Sequence, residues 1–193
     1  MSSSGDDITQ GFRFVREVYR NVSRMLRASD EVVEKYGFVP YRPVGQRWRP
    51  FERTNDNIAE PDGWVPTMIV RQFYPQHAES RAVLTVATVL LNDVLDAPLA
   101  LASYMRIKAD PPSVLWLGLL QAWHGEDAPF DGVVRPVKNS IEQFSQEYAA
   151  ALSAPVIHSV AVSLVTITSN NEVERLLVQP LVEELRRESI LPR

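Results

Sequence analysis

Apolar positions recur at helical spacing near the amino terminus. Phe14, Val15, Val18, Val22, Met25, Leu26, Val32, Val33 and Tyr36 fall on one side of a helix predicted from about Asp7 to Tyr36. The other side carries Arg13, Arg16, Arg20, Arg24 and Arg27. At 100° per residue these five lie within roughly 80° of one another. Asp6 or Asp7 can cap the first amides, and Gly37 is suited to end the helix.

The middle of the chain changes period. Strands are predicted at 68–74, 81–91, 99–108 and 114–123, the last with an alternative helical reading. The intervening segments are short and rich in Pro, Asp, Asn and Ser, which suits hairpins better than long crossovers. In the second strand, Val83, Thr85, Ala87, Val89 and Leu91 oppose Leu84, Val86, Thr88 and Leu90. Both faces are nearly apolar, so both need cover. A strand at 156–168 behaves in the same way. The long helices can cover one face. The second face calls for the 38–67 segment, a middle helix or another subunit, which makes a homo-oligomer an expectation.

Residues 38–67 contain Pro40, Pro43, Pro50, Pro61 and Pro66 and read as irregular. Residues 124–136 read as an acidic loop, 139–152 as a second helix and 171–188 as the last helix. Asn170 or Asn171 is expected to cap that helix, and Pro180 to kink or divide it. The fold expectation is therefore α+β: a single layer of about five mostly antiparallel strands covered by an N-terminal and a C-terminal helix. Residues 1–6 form a flexible tail and 7–193 a single domain.

Composition narrows the chemistry. The 193 residues include no cysteine, which excludes disulfides, thiolate zinc sites and cysteine nucleophiles. The longest apolar stretch, 114–120, is far short of the ~18–20 residues that span a bilayer. The first residues lack a signal-peptide pattern, so a cytoplasmic protein without a membrane partner is expected. The net charge of −4 is split unevenly. Residues 1–53 hold ten basic side chains against seven acidic ones, and the remainder holds ten against seventeen. Such asymmetry can steer an oppositely charged partner.

Recognisable catalytic and cofactor motifs are missing. There is no phosphate-binding loop, dinucleotide fingerprint, nucleophile elbow or H-E-x-x-H zinc motif, so neither a cofactor nor a metal is expected. Three weaker constellations remain. The 41–53 segment interleaves Arg42, Arg47, Trp48, Arg49 and Arg53 with aromatic residues, a composition that grips phosphates and stacks bases. Its simpler reading is a proline-stiffened loop with locally paired arginines. The helical arginine stripe is the second. Glu17 follows Arg13 by four residues and Glu31 follows Arg27, which leaves Arg16, Arg20 and Arg24 as the core of the ridge. A solvated or internally paired face is its simpler reading. The third is the 124–132 segment, where His124 accompanies Glu126, Asp127 and Asp131. Ordinary turn chemistry explains it well enough. His158, on a buried strand, reads as a structural histidine.

Three functions fit these features. The first is a non-catalytic binding or regulatory module, oligomeric, docking on an acidic partner through Arg16, Arg20 and Arg24. The second is a nucleic-acid-associated protein using Arg42, Arg47, Trp48, Arg49 and Arg53. The third is an enzyme with a carboxylate and histidine site built from Glu60, Asp62, His124 and the 126–131 acids.

Overall fold

A computed structural model describes residues 4–40, 51–52, 68–76, 82–90, 98–107, 131–137, 152–188 and 190–191. Helix α1 (Ser4–Glu34) is followed by strands β1 (Phe38–Pro40), β2 (Phe51–Glu52), β3 (Met68–Pro75), β4 (Ala82–Val89), β5 (Leu99–Ile107), β6 (Arg135–Val137) and β7 (Leu152–Ser163). A 3₁₀ turn over Leu164–Thr166 leads into α2 (Asn170–Val173), a π-helical turn over Glu174–Val178 and α3 (Gln179–Arg187).

The strands form one antiparallel sheet in the order β1-β3-β4-β5-β7-β6, with β2 also paired to β3. β1 lies opposite 73–75 of β3 and β2 opposite 69–70, so the two share one edge and the sheet is six strands across. The expected antiparallel layer with helices from both ends of the chain is therefore present. The hairpin-like neighbours β3–β4 and β4–β5 are also as expected.

Several boundaries differ from the sequence reading. Phe38–Pro40 and Phe51–Glu52, within the segment read as irregular, are short strands on the edge of β3, a position that tolerates proline. Arg135–Val137, within the expected acidic loop, pairs with β7. Leu152, expected at the end of a helix, is the first residue of β7, and that strand stops at Ser163 rather than Thr168. The predicted elements at 114–123 and 139–151 lie outside the described residues.

The alternation of the strands sorts two cores. One face of the sheet presents Ile69, Phe73, Leu84, Val86, Ala102, Tyr104, Val160 and Val162 to the helices. From α1 it receives Val22, Leu26, Val32 and Val33, and from the C-terminal helix Leu177, Leu181 and Leu185. The other face carries Met68, Val70, Ala87, Val89, Leu99, Leu101 and Ala161. Across its middle run Gln72, Thr85, Ser103 and Ser159, each opposite the next in register and all buried. All eight residues of β4 are buried within the single chain, so burial of the second face does not call for a second subunit.

Arg71 is the one cation buried in the described sheet, and it faces the helices between Ile69 and Phe73. Its guanidinium pairs with Asp30 of α1 and lies 5.8 Å from the centroid of Phe73. A buried charge requires such a partner, because desolvation of an unpaired one costs several kcal/mol. The pair ties the last turns of α1 to β3.

The helix ends are locked by side chains. Gly37 adopts φ 78°, a left-handed conformation that suits glycine, and its amide bonds to the Glu34 carbonyl at 3.0 Å. Beside it, Glu174 accepts bonds from Lys35 Nζ at 2.7 Å and Tyr36 Oη at 3.0 Å. Glu174 opens the π-turn, which is followed by Gln179 and then Pro180 in the first turn of α3. The proline has no amide to give the carbonyl four residues back, and its ring crowds that carbonyl. The helix accommodates this by widening, so the expected division at Pro180 takes the form of a π-turn rather than a break. The N-cap is Ser169, one residue before the expected asparagines. Glu172, three residues on, accepts the Ser169 amide at 2.9 Å and the Thr168 amide at 2.6 Å, a capping box.

Helix α1 is longer than the sheet it packs on. Its 31 residues span about 46 Å, whereas the eight residues of β4 span about 27 Å. The buried and half-buried positions of α1 begin at Val18, and residues 5–17 are exposed on every side. Leu26→Ala should therefore lower stability by about 2–5 kcal/mol in urea denaturation. Phe12→Ala should change it by less than about 0.5 kcal/mol.

Hydrogen bonds from Lys35 and then Tyr36 hold the Glu174 carboxyl below its ordinary pKa of about 4.5. A lowered folded-state pKa contributes stability above the unfolded value that disappears as pH falls through the folded one. Glu174→Gln should accordingly be less stable than the parent by a constant margin at neutral pH. That margin should shrink in acid below about pH 4.5, as read from urea midpoints across a pH series.

Candidate functional site

The sequence-predicted arginines on α1 fall on the part of the helix that leaves the body and on the turns just after it. Arg13, Arg16, Arg20, Arg24 and Arg27 are all exposed. The pairing is not the one read from spacing alone. Arg20 bonds Glu17, three residues back, at 3.1 Å. Arg24 bonds the Asn21 side chain at 3.3 Å. Among the described residues Arg16 makes no ion pair, and Arg13 takes none from Glu17. The Arg20 pair is more than half exposed on both sides, so it contributes at most ~1 kcal/mol and leaves the guanidinium available.

The opposite face of this segment was expected to pack on the sheet throughout its length. It does so only from Val18 onward. Phe14 is 71% exposed and Val15 42% exposed, and Ile8 and Phe12 add 61% and 73%. On the helical wheel Ile8, Phe14 and Val15 prolong the buried face of Val22, Met25, Leu26 and Val32 beyond the edge of the sheet, and Phe12 flanks it on the arginine side. The sequence reading missed this surface because the apolar period is continuous along α1. The physical end of the packing surface is set by strand length, which the period of a helix does not carry.

The exposed segment thus presents two stripes along one cylinder. The first is apolar, from Ile8, Phe12, Phe14 and Val15. The second is cationic, from Arg13 and Arg16, with Arg16 beside Phe12 on the wheel, and it runs on through Arg20 and Arg24 on the outer side of the packed turns. Asp6 and Asp7 occupy the first turn, where negative charge complements the helix dipole. An apolar row flanked by guanidinium groups can bury hydrocarbon and form forked hydrogen bonds to carboxylates on the same partner.

The remaining sequence-predicted groups divide plainly. Arg42, Arg47, Trp48, Arg49 and Arg53 lie outside the described residues, as do Glu60, Asp62, His124, Glu126 and Asp127. Asp131 is described and exposed. It accepts two hydrogen bonds of 2.7 Å from Arg135 and one from the Val133 amide, and these hold its carboxyl far below the ordinary range. It also forms an isolated bridge with Val162, so it closes a turn against the β7 edge. His158 sits in β7 on the helix-covered face, beside Tyr104. No described helix is long and apolar enough to cross a membrane.

No protein-family model, no curated protein and no solved structure matches this chain.

Proposed function

We propose that this chain is a non-catalytic binding module that docks an acidic, amphipathic partner segment along the projecting half of α1. The observation that carries the reading is the exposure of residues 5–17 on all sides, with large apolar and cationic side chains on adjoining stripes. Isolated helices of this length are marginal in water, so a packing partner stabilises the segment as well as being recognised by it. The unequal charge of the chain supports an acidic occupant, since the excess of basic groups lies in residues 1–53. A cytoplasmic setting goes with the reading, supported by the cysteine-free composition.

The homo-oligomer is a second reading of the same stripe. Its support is the exposed apolar row of α1, not the second face of the sheet. An antiparallel pair of α1 segments would bring the acidic first turn of one copy toward Arg13 and Arg16 of the other.

The triple charge reversal R16E/R20E/R24E should remove the partner set recovered in a pull-down from cell extract while the circular dichroism spectrum stays the same. Binding by the parent protein should weaken steeply as salt is raised, since exposed charges are screened. An unchanged partner set with the reversed helix would overturn the reading. A dimer that forms in isolation and dissociates on Phe12→Ser, followed by light scattering, would assign the stripe to a second copy.

A further inference from the structure

The helix-covered face of the sheet holds a second polar cluster, between β5, β7 and the end of α3. Tyr104 of β5 and His158 of β7 are direct cross-strand partners on the helix-covered face. Their rings stack with centroids 4.8 Å apart and planes inclined by 15°. Glu184 and Glu188, one turn apart at the end of α3, close over them. One ligand atom from each of His158, Glu184 and Glu188 lies within 4.8 Å of the other two.

Two features of this cluster are poorly explained by packing alone. First, its hydrogen bonding is incomplete. The Tyr104 side chain is almost wholly buried, and its hydroxyl has no hydrogen-bond partner of normal geometry. His158 Nδ1 is buried without a partner, and Nε2 stops 3.7 Å from Glu188 Oε1, beyond hydrogen-bond reach. Buried polar groups are normally satisfied, so two unmet groups beside two carboxylates leave this cluster open to a further bonding partner. Second, the charges are arranged against one another. Two carboxylates four residues apart on one helix repel, and the C-terminal end of a helix already carries negative potential. Arg187 pairs with Glu184 at 2.9 Å from the solvent side, and no lysine or arginine among the described residues pairs with Glu188.

We propose that His158, Glu184 and Glu188 bind a divalent transition-metal ion of the zinc type, with the Tyr104 hydroxyl orienting the Glu188 carboxylate. One imidazole and two carboxylates form a three-ligand set that leaves a fourth position for water or a ligand. Ligand atoms of a tetrahedral zinc ion stand about 3.4 Å apart, given bonds of ~2.1 Å. Closing from 4.8 Å takes about 1 Å of side-chain movement, which the partly exposed glutamates can make. The bound ion offsets the paired carboxylates and the helix dipole together. The Tyr104 hydroxyl then donates to the free oxygen of Glu188, the outer-shell contact that ligating carboxylates usually carry. The ion would staple the end of α3 to β7. The inference is independent of the proposed docking function.

Cobalt(II) is the probe, followed by its visible absorption, with zinc titrated against thermal unfolding. The intact chain should take up one equivalent with the absorption of a low-coordinate site, and zinc should displace the cobalt and raise the melting temperature. Glu184→Gln and Glu188→Gln, both on partly exposed positions and compatible with folding, should each weaken uptake at least tenfold. Tyr104→Phe should weaken it by about tenfold without abolishing it. His158→Asn should remove the imidazole contribution from the spectrum. Two results would overturn the proposal. One is a cobalt spectrum that remains that of the hydrated ion, with no thermal shift from zinc. The other is uptake that is unchanged in both glutamine variants, which would locate the metal elsewhere.

Discussion

The Arg71–Asp30 pair is the interaction on which the arrangement of helix and sheet depends. A strand on the helix-covered face should carry only apolar residues there, and β3 instead carries a guanidinium that is 5% exposed. The cost of burying that charge is recovered only when a carboxylate meets it, so the helix must present Asp30 at that height on β3 and no other. This fixes the rotation and the axial position of α1 together. Val22, Leu26 and Val33 then fall over the sheet, and the end of α1 meets Glu174 through Lys35 and Tyr36.

That axial position has a consequence at the other end. With Asp30 held at β3, the sheet is too short to reach the first turns of the helix. Residues 5–17 project, and an apolar face with a buried continuation becomes a surface. The cationic stripe runs on past this boundary, because arginine is compatible with solvent throughout. The projecting half therefore differs from the packed half in burial and not in pattern.

The two faces of the sheet are stabilised differently. The helix face is filled by aliphatic and aromatic side chains, apart from Arg71, Thr88 and the Tyr104–His158 pair. The second face combines an apolar patch with the transverse row Gln72, Thr85, Ser103 and Ser159. Sequence alternation marked both faces of β4 as buried but gave no hint of that row, since its members come from four strands and align only through register. The same is true of the cluster of Tyr104, His158, Glu184 and Glu188. His158 was legible as a histidine on a buried strand, whereas Glu184 and Glu188 carried no signal in the sequence beyond that of two acids on a helix. Nothing in their spacing brings residue 158 to residue 188, and nothing in it brings Tyr104 to either.

Local periodicity alone determined the long amphipathic helix, the arginine stripe, the antiparallel middle strands, the stop at Gly37 and the disturbance before Pro180. Each of these follows from side-chain spacing or from backbone chemistry within a few residues. Tertiary structure decided the rest. The short edge strands at Phe38–Pro40 and Phe51–Glu52 exist because β3 offers them an open edge. The limit of packing along α1 is set by the length of a sheet formed 30 or more residues later in the chain. The convergence of Tyr104, His158, Glu184 and Glu188 depends on strand register and on where α3 ends. Long-range register and the relative lengths of packed elements are properties of the assembled fold, and no window of sequence contains them.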